Sequence, residues 1–187
     1  YRGQVKAPKR LGMNPSLELR PGIYTHWQKA KAKKQKLAAA VVLGAPPCVA
    51  FTSAQKVPET LDELHVAGGL VGAPINVVKA KTVDLLVPAE AEIVIEGLID
   101  TENLEPEGPF GESHGHVALE EFNMPMRVTA ITHRRDAIVA SYISQVTPSE
   151  SSAIKRVSYE PMFLSHLRNT LGVRGVKRVT LHERMTA

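Results

Sequence analysis

Glu107 and Glu112 stand five residues apart in Pro106-Glu107-Gly108-Pro109-Phe110-Gly111-Glu112-Ser113-His114-Gly115-His116. Two carboxylates held at a fixed separation are suited to acid and base work on a bound ligand. The stretch around them cannot form a helix or a central strand. Pro109 lacks an N–H and fixes its own φ, while Gly108, Gly111 and Gly115 allow positive φ or close approach to the main chain. A shaped loop is predicted, with Phe110 between the two acids. The alternative is a solvated turn carrying two ordinary surface glutamates.

The chain around this loop has 187 residues, 43% of them apolar, enough for one large domain or two small ones with a proper core. Its net charge of +4 is modest, and much of the basic excess lies in Lys29, Lys31, Lys33, Lys34 and Lys36. No aromatic residues are interleaved among these lysines. They read as a solvated helix face, and no nucleic-acid partner is expected. Cys48 is the one cysteine, which excludes an intrachain disulfide and any multi-cysteine zinc site and fits a reducing cytoplasm. No apolar run approaches the roughly 18 residues of a membrane span. The opening Tyr1-Arg2-Gly3-Gln4-Val5-Lys6 lacks the apolar segment of a signal peptide, and a start without Met is expected of a piece of something longer.

Residues 1–22 carry Pro8, Pro15 and Pro21 and should form short strands or loops. A helix is predicted from Tyr24 to about Lys36, then a buried strand over Leu37–Leu43 and a sharp turn at Gly44-Ala45-Pro46-Pro47, with Cys48 a small buried hydrophobe. Thr60-Leu61-Asp62-Glu63 fits a capping box opening a helix that stops near Gly68-Gly69. Strands follow over 75–78, 83–87 and 91–99. In the last, Ile93, Ile95 and Leu98 should be buried against wet Glu92, Glu96 and Asp100, with Val94 an exception and a slip near Gly97. Beyond the loop, 127–133 and 137–144 read as a hairpin around Arg134-Arg135-Asp136. A helix should open at Thr147-Pro148-Ser149-Glu150 with Pro at its first position, a second should span 159–171 and close at Gly172, and 176–181 should be a last strand. Many short strands with few helices between them favour a barrel-like sheet, and no glycine-rich phosphate fingerprint is present.

The loop motif Pro106-Glu107-Gly108-Pro109-Phe110-Gly111-Glu112, preceded by Asp84-Leu85-Leu86-Val87-Pro88-Ala89-Glu90-Ala91-Glu92-Ile93-Val94-Ile95-Glu96-Gly97, resembles the UbiD family of decarboxylases. The likeness runs from Tyr1-Arg2 through Pro58, Glu63 and Val78-Lys79 to the Thr129–Glu150 region. It implies mixed β structure with helices: a split β-barrel, FMN-binding-like core with peripheral helices. Residues 1–187 would be the central flavin-binding domain, lacking N- and C-terminal portions that longer members carry. It also implies prenylated FMN, a divalent metal such as Mn²⁺ and a monovalent cation such as K⁺.

By the same resemblance Arg2, Glu107 and Glu112 form a Glu–Arg–Glu constellation. Glu112 protonates the product, and Arg2 pairs with the carboxylates and the substrate. Glu63 maps onto the metal-binding Glu, in competition with its capping role. His26 is the histidine available for the metal, and the ligating Asn is expected just before Tyr1. Arg2 also belongs to a cofactor-binding motif, and Ser53, Ala54, Gln55 and Lys56 stand at a further cofactor contact, Lys56 as the candidate for the phosphate. His114-Gly115-His116 reads as lining of the loop. The expected activity is reversible, non-oxidative decarboxylation of an aromatic or α,β-unsaturated acid in the cytoplasm, in a homo-oligomer completed by the missing portions. The competing expectation is a non-catalytic subunit or orphan fragment that binds flavin weakly or not at all.

Overall fold

A computed structural model describes residues 3–14, 22–53, 55, 57, 61–111, 115–118, 122–144 and 146–182. In chain order its elements are β1 (Gly3–Ala7), β2 (Arg10–Met13), α1 (Gly22–Ala32), β3 (Leu37–Leu43), α2 (Pro47–Ser53), α3 (Glu63–Val71), β4 (Val77–Lys79), β5 (Leu86–Pro88), β6 (Ile93–Ile99), β7 (Phe110–Gly111), β8 (Val117–Ala118), β9 (Met124–His133) and α4 (Glu150–Ser165), which runs on into a π-helical turn, His166–Thr170. They fall into two compact units: Tyr1–Ala45 with Asn76–Phe110 and Leu119–Ala140, and Pro46–Ile75 with Gly111–Ala118 and Ser141–Ala187.

The first unit is built on an antiparallel sheet of order β1-β2-β9-β6-β3. Mixed β structure with helices is observed. Among the described residues β1 and β3 end an open sheet, and no closed barrel is seen. Leu37–Leu43 is a strand as expected, but as an end strand it is half-buried rather than enclosed. Its odd-numbered residues Leu37, Ala39 and Val41 pack with Ile23 and Tyr24 of α1 against a buried cluster of Met13, Trp27, Ile99, Met124 and Met126. Trp27 holds α1 to the sheet: its indole Nε1 donates to Asp100 O at 2.8 Å. Helix α1 ends at Ala32, short of Lys36, because Lys34 turns the chain at φ +55°. The lysines of the 29–36 segment are exposed, as a solvated face requires.

Strand β6 reverses one expectation. Val94, Glu96 and Ile99 are buried, while Ile93, Ile95 and Leu98 are only half-buried. Glu96 is 1% exposed. Both faces of this central strand are covered: Ile99 lies in the α1 cluster, and Glu96 faces the Lys81–Thr82 turn. That carboxylate accepts from Lys81 N at 2.8 Å, Thr82 N at 2.6 Å and the Thr82 hydroxyl at 2.7 Å. Burial pushes its pKa up, but these donors outweigh burial and hold it below its ordinary value. The expected slip near Gly97 is present. Glu96 pairs with Ala130 and Gly97 with Val128, so Thr129 is an extra residue in β9, and its hydroxyl meets that of Thr82 at 2.6 Å. A Cβ on Gly97 would run into the Arg127 carbonyl oxygen and come within 2.7 Å of Met126 Cε.

Several boundaries differ for local reasons. Strands β4, β5 and β6 sit within one to three residues of their expected positions, and β9 starts earlier, at Met124. Residues 137–144 form no strand among the described residues, so the expected hairpin is absent; Ile138 N donates instead to Glu92 Oε2, and Ile138 is 81% exposed.

In the second unit, α3 is capped by Asp62, whose side chain accepts from Leu64 N, and it runs through Gly68-Gly69 to an αL stop at Gly72. Thr60 lies outside the described residues. The two expected helices near the C-terminus are one, α4, capped by Ser149 and Ser152 in a reciprocal capping box, with Pro148 before the cap and Pro161 inside the helix. Gly172, φ +71°, follows the π-helical turn. Residues 176–181 are irregular.

Gly97→Ala should cost about 1–3 kcal/mol through overpacking of the β6–β9 bulge, read as a lowered urea midpoint. Because Glu96 titrates lower in the folded state, its stabilisation is present above the ordinary carboxyl value of 4.5 and is lost as pH falls. Glu96→Gln should therefore be destabilised near pH 7 and approach the wild type as pH falls through the lowered folded-state value of Glu96. A gap between the two midpoints that stays constant with pH would show that Glu96 contributes no charge-dependent stability.

Candidate functional site

The chain leaves β6 through a turn organised by Asp100. Its carboxylate accepts from Asn103 Nδ2 at 3.0 Å and from Glu102 N at 2.8 Å, and these bonds, the Asn103 side chain first, lower its pKa. The turn delivers residues 105–108 to the β1–β2 hairpin. Glu105 exchanges both main-chain hydrogen bonds with Asn123, and its Oε2 pairs with Arg10 Nη1 at 2.8 Å. Lys6 Nζ donates to Pro106 O at 3.1 Å. Gln4 holds Gly108 at two points: Gln4 Nε2 donates to Gly108 O at 3.0 Å, and Gly108 N donates to Gln4 Oε1 at 2.9 Å.

The residue between these anchors is Glu107, and it is 5% exposed. It is not the surface side chain of a solvated turn. The segment is a fixed loop with neither helix nor central strand, followed by the two-residue β7. Arg2 and Glu112, its expected partners, lie outside the described residues.

The expected cofactor contacts follow α2, a helix the Pro46-Pro47 turn signal concealed. Pro47 is its first residue, a position where the missing N–H costs nothing, and that pattern could have disclosed it. Ser53 ends the helix with its hydroxyl donating to Ala50 O at 2.7 Å, and Gln55 N donates to Thr52 O at 2.9 Å. Cys48 is buried as expected. Ala54 and Lys56 lie outside the described residues.

For the metal, Glu63 is exposed in the first turn of α3. Capping belongs to Asp62, so the expected competition between capping and ligation falls away. His26 is exposed on α1, in the other unit. Among the described residues no three His, Cys, Asp or Glu side chains are grouped to hold a metal ion. His114 is outside the described residues, and His116 is exposed.

Sequence reasoning missed the residues that hold the loop. Gln4 and Lys6 are two apart on β1, hence on one face, a period-2 signal that was available but had no visible partner. It also missed Asn123, fully buried with neither carboxamide atom hydrogen-bonded, and Glu105 Oε1, likewise unpaired. A Cβ on Gly12 would stand 3.0 Å from Asn123 Nδ2 and 3.1 Å from Glu105 Oε1, so the glycine makes room for both. In the second unit an open depression of about 270 Å³ is lined by Arg156, Glu160, Pro161, Lys177 and Arg178 among others, none of them a candidate residue. Glu160 there accepts from Leu181 N at 2.9 Å, which fastens the C-terminal segment to α4.

The family model described as the UbiD 3-octaprenyl-4-hydroxybenzoate carboxy-lyase Rift-related domain matches residues 1–146. An uncharacterized protein of Aquifex aeolicus is 36% identical over 151 residues, covering 80% of this chain and 31% of that relative. An evolved dimeric form of the UbiD-class enzyme HmfF from Pelotomaculum thermopropionicum, in complex with prFMN, superposes with a TM-score of 0.86 at 33% identity, over 98% of this chain and 41% of that one. The closed form of vanillic acid decarboxylase from Sedimentibacter hydroxybenzoicus gives 0.85 at 29% identity, over 92% and 36%. The chain thus spans about a third of the length of its relatives. The matched region takes in both the β1–β2 hairpin and the Glu107 loop that it holds, and the chain belongs to the UbiD family of carboxy-lyases.

Proposed function

We propose that this chain is the flavin-binding part of a prenylated-FMN-dependent decarboxylase acting on an aromatic or α,β-unsaturated carboxylic acid. Its sheet would belong to a split barrel, completed, as are its oligomer and its substrate pocket, by further polypeptide. The observation that carries the reading is the buried Glu107 on a loop fastened at 105–108 to β1, in a family whose solved members include an enzyme in complex with prFMN. The single buried cysteine suits a cytoplasmic setting.

Arg2, Ser53, Ala54, Gln55 and Lys56 are the residues proposed to hold the flavin. The donor set fits: the Gln55 carboxamide both donates and accepts, the Ser53 hydroxyl, its proton given to Ala50 O, still accepts, and the Lys56 ammonium suits the phosphate. Glu63 and His26 supply oxygen and nitrogen donors of the kind Mn²⁺ takes, and K⁺ would neutralise further phosphate charge. Bound prenylated FMN would supply the electron sink that makes loss of CO₂ from an unsaturated acid accessible.

The protein's own part is placement and one proton. Arg2 pairs with the substrate carboxylate and with Glu107. The C–C bond to the carboxylate breaks, the electron pair stays on the carbon, and the Glu112 carboxyl delivers the proton that forms the new C–H bond. A buried carboxylate such as Glu107 favours this by engaging Arg2, which would otherwise pair with Glu112 and depress its pKa. The competing reading is a non-catalytic subunit that binds flavin weakly. Flavin absorbance of the purified protein separates the two.

With cofactor loaded, Glu112→Gln should bind substrate and lose about 10²- to 10⁴-fold in turnover at every pH. Glu107→Gln should also be impaired but recover activity as pH falls and Glu112 is reprotonated. Near-normal decarboxylation by Glu112→Gln would sink the proton-donor role. Glu63→Gln should lower Mn²⁺-dependent flavin retention, measured by absorbance after desalting, and leave the thermal midpoint almost unchanged, since Asp62 and not Glu63 caps α3. Equal flavin retention with and without the substitution would remove Glu63 from the metal site.

A further inference from the structure

We propose that Gln4 is a positioning residue for the Glu107 loop, its carboxamide serving as a replacement peptide group that fixes the main chain on the C-terminal side of Glu107. Gln4 and Gly108 are separated by 104 residues in sequence, yet they meet as an antiparallel residue pair would, one N–H and one C=O exchanged each way at 3.0 and 2.9 Å. β1's own main chain is engaged with β2 on its paired edge, and it is the Gln4 side chain that reaches Gly108. Lys6, on the same face, takes Pro106 O, so the peptides before and after Glu107 are both held. The main chain on both sides of Glu107 is thereby held, and the direction in which its side chain leaves the backbone is set by β1, the strand that Arg2 immediately precedes in sequence.

Gly108 lies close against the same clasp. A Cβ there would sit 3.3 Å from Gln4 Oε1, so the carboxamide would have to give way slightly. A glutamine is also specifically required. Glutamate at position 4 has no N–H for Gly108 O and sets a negative charge against that carbonyl, while leucine offers neither bond. Protonated glutamate, by contrast, presents one donor and one acceptor and so imitates the amide.

The role in turnover rests on the decarboxylase reading, and the experiment keeps the two apart. Amide hydrogen exchange at Gly108, followed by mass spectrometry or NMR, reads the clasp without reference to catalysis. Protection in the wild type should fall by about tenfold or more in Gln4→Ala; unchanged protection overturns the proposal. In the flavin-loaded protein, Gln4→Ala should lose up to about 10² in kcat with KM and thermal midpoint little altered, as a misplaced catalytic group does. A loss confined to the thermal midpoint would make Gln4 merely structural and overturn it too. Should Gln4→Ala fail to fold, Gln4→Glu decides. Its activity and Gly108 protection should rise relative to wild type as pH falls through the carboxyl range, and a pH profile parallel to wild type overturns the proposal. If the wild type shows no decarboxylation, the functional reading fails, and Gly108 exchange alone still decides the clasp.

Discussion

The ladder between β6 and β9 is the constraint on which the first unit depends. β9 carries β2 and then β1 on one side, and β6 carries β3 on the other, so an error in their register would propagate to every strand. The register is broken once, at Thr129, and the break is secured by chemistry on both faces. On one face Glu96, Thr82 and Thr129 form a connected polar network; on the other Gly97 lets the Arg127 peptide and Met126 come close. A buried carboxylate is costly unless its donors are in place, and here two peptide N–H groups and a hydroxyl are. The 80–84 turn is thereby tied to the centre of the sheet.

The loop that carries Glu107 inherits its position from this framework. Its approach is aimed by Asp100, the residue after β6, and its base is paired with Asn123, the residue before β9. The β1–β2 hairpin then reaches it with Arg10, Lys6 and Gln4, whose contacts to 105, 106 and 108 fix the chain on both sides of Glu107. Fastening of this kind fixes where a side chain leaves its main chain and restricts the positions it can reach. A comparable separation of roles is seen at α3, where Asp62 performs the capping and Glu63 beside it is left at the surface.

The segment over 137–144 shows that strand-like composition alone does not make a strand. Its β-branched and aromatic residues Ile138, Val139, Tyr142 and Ile143 suit a strand, yet Ile138 and Ile143 are 81% and 63% exposed. A strand needs a hydrogen-bonding neighbour as well as a pattern, and none stands beside it among the described residues.

Local chemistry makes much of this legible in the amino-acid sequence alone. Leu37–Leu43 is apolar and bounded by Gly44, the Gly and Pro residues of 106–111 exclude regular structure, and Gly97 marks the bulge; each depends on residues within a few positions of one another. The motif around Glu107 is likewise enough for the family. What the tertiary structure alone decides depends on partners remote in the chain. Which face of β6 is buried cannot be read from alternation, because α1 covers one face and the 80–82 turn the other, and a strand enclosed on both sides has no wet side to reveal. That Glu107 is buried, and that Gln4 is a clasp rather than one more polar side chain on a strand, is decided only when folding brings β1 against a peptide 104 residues away.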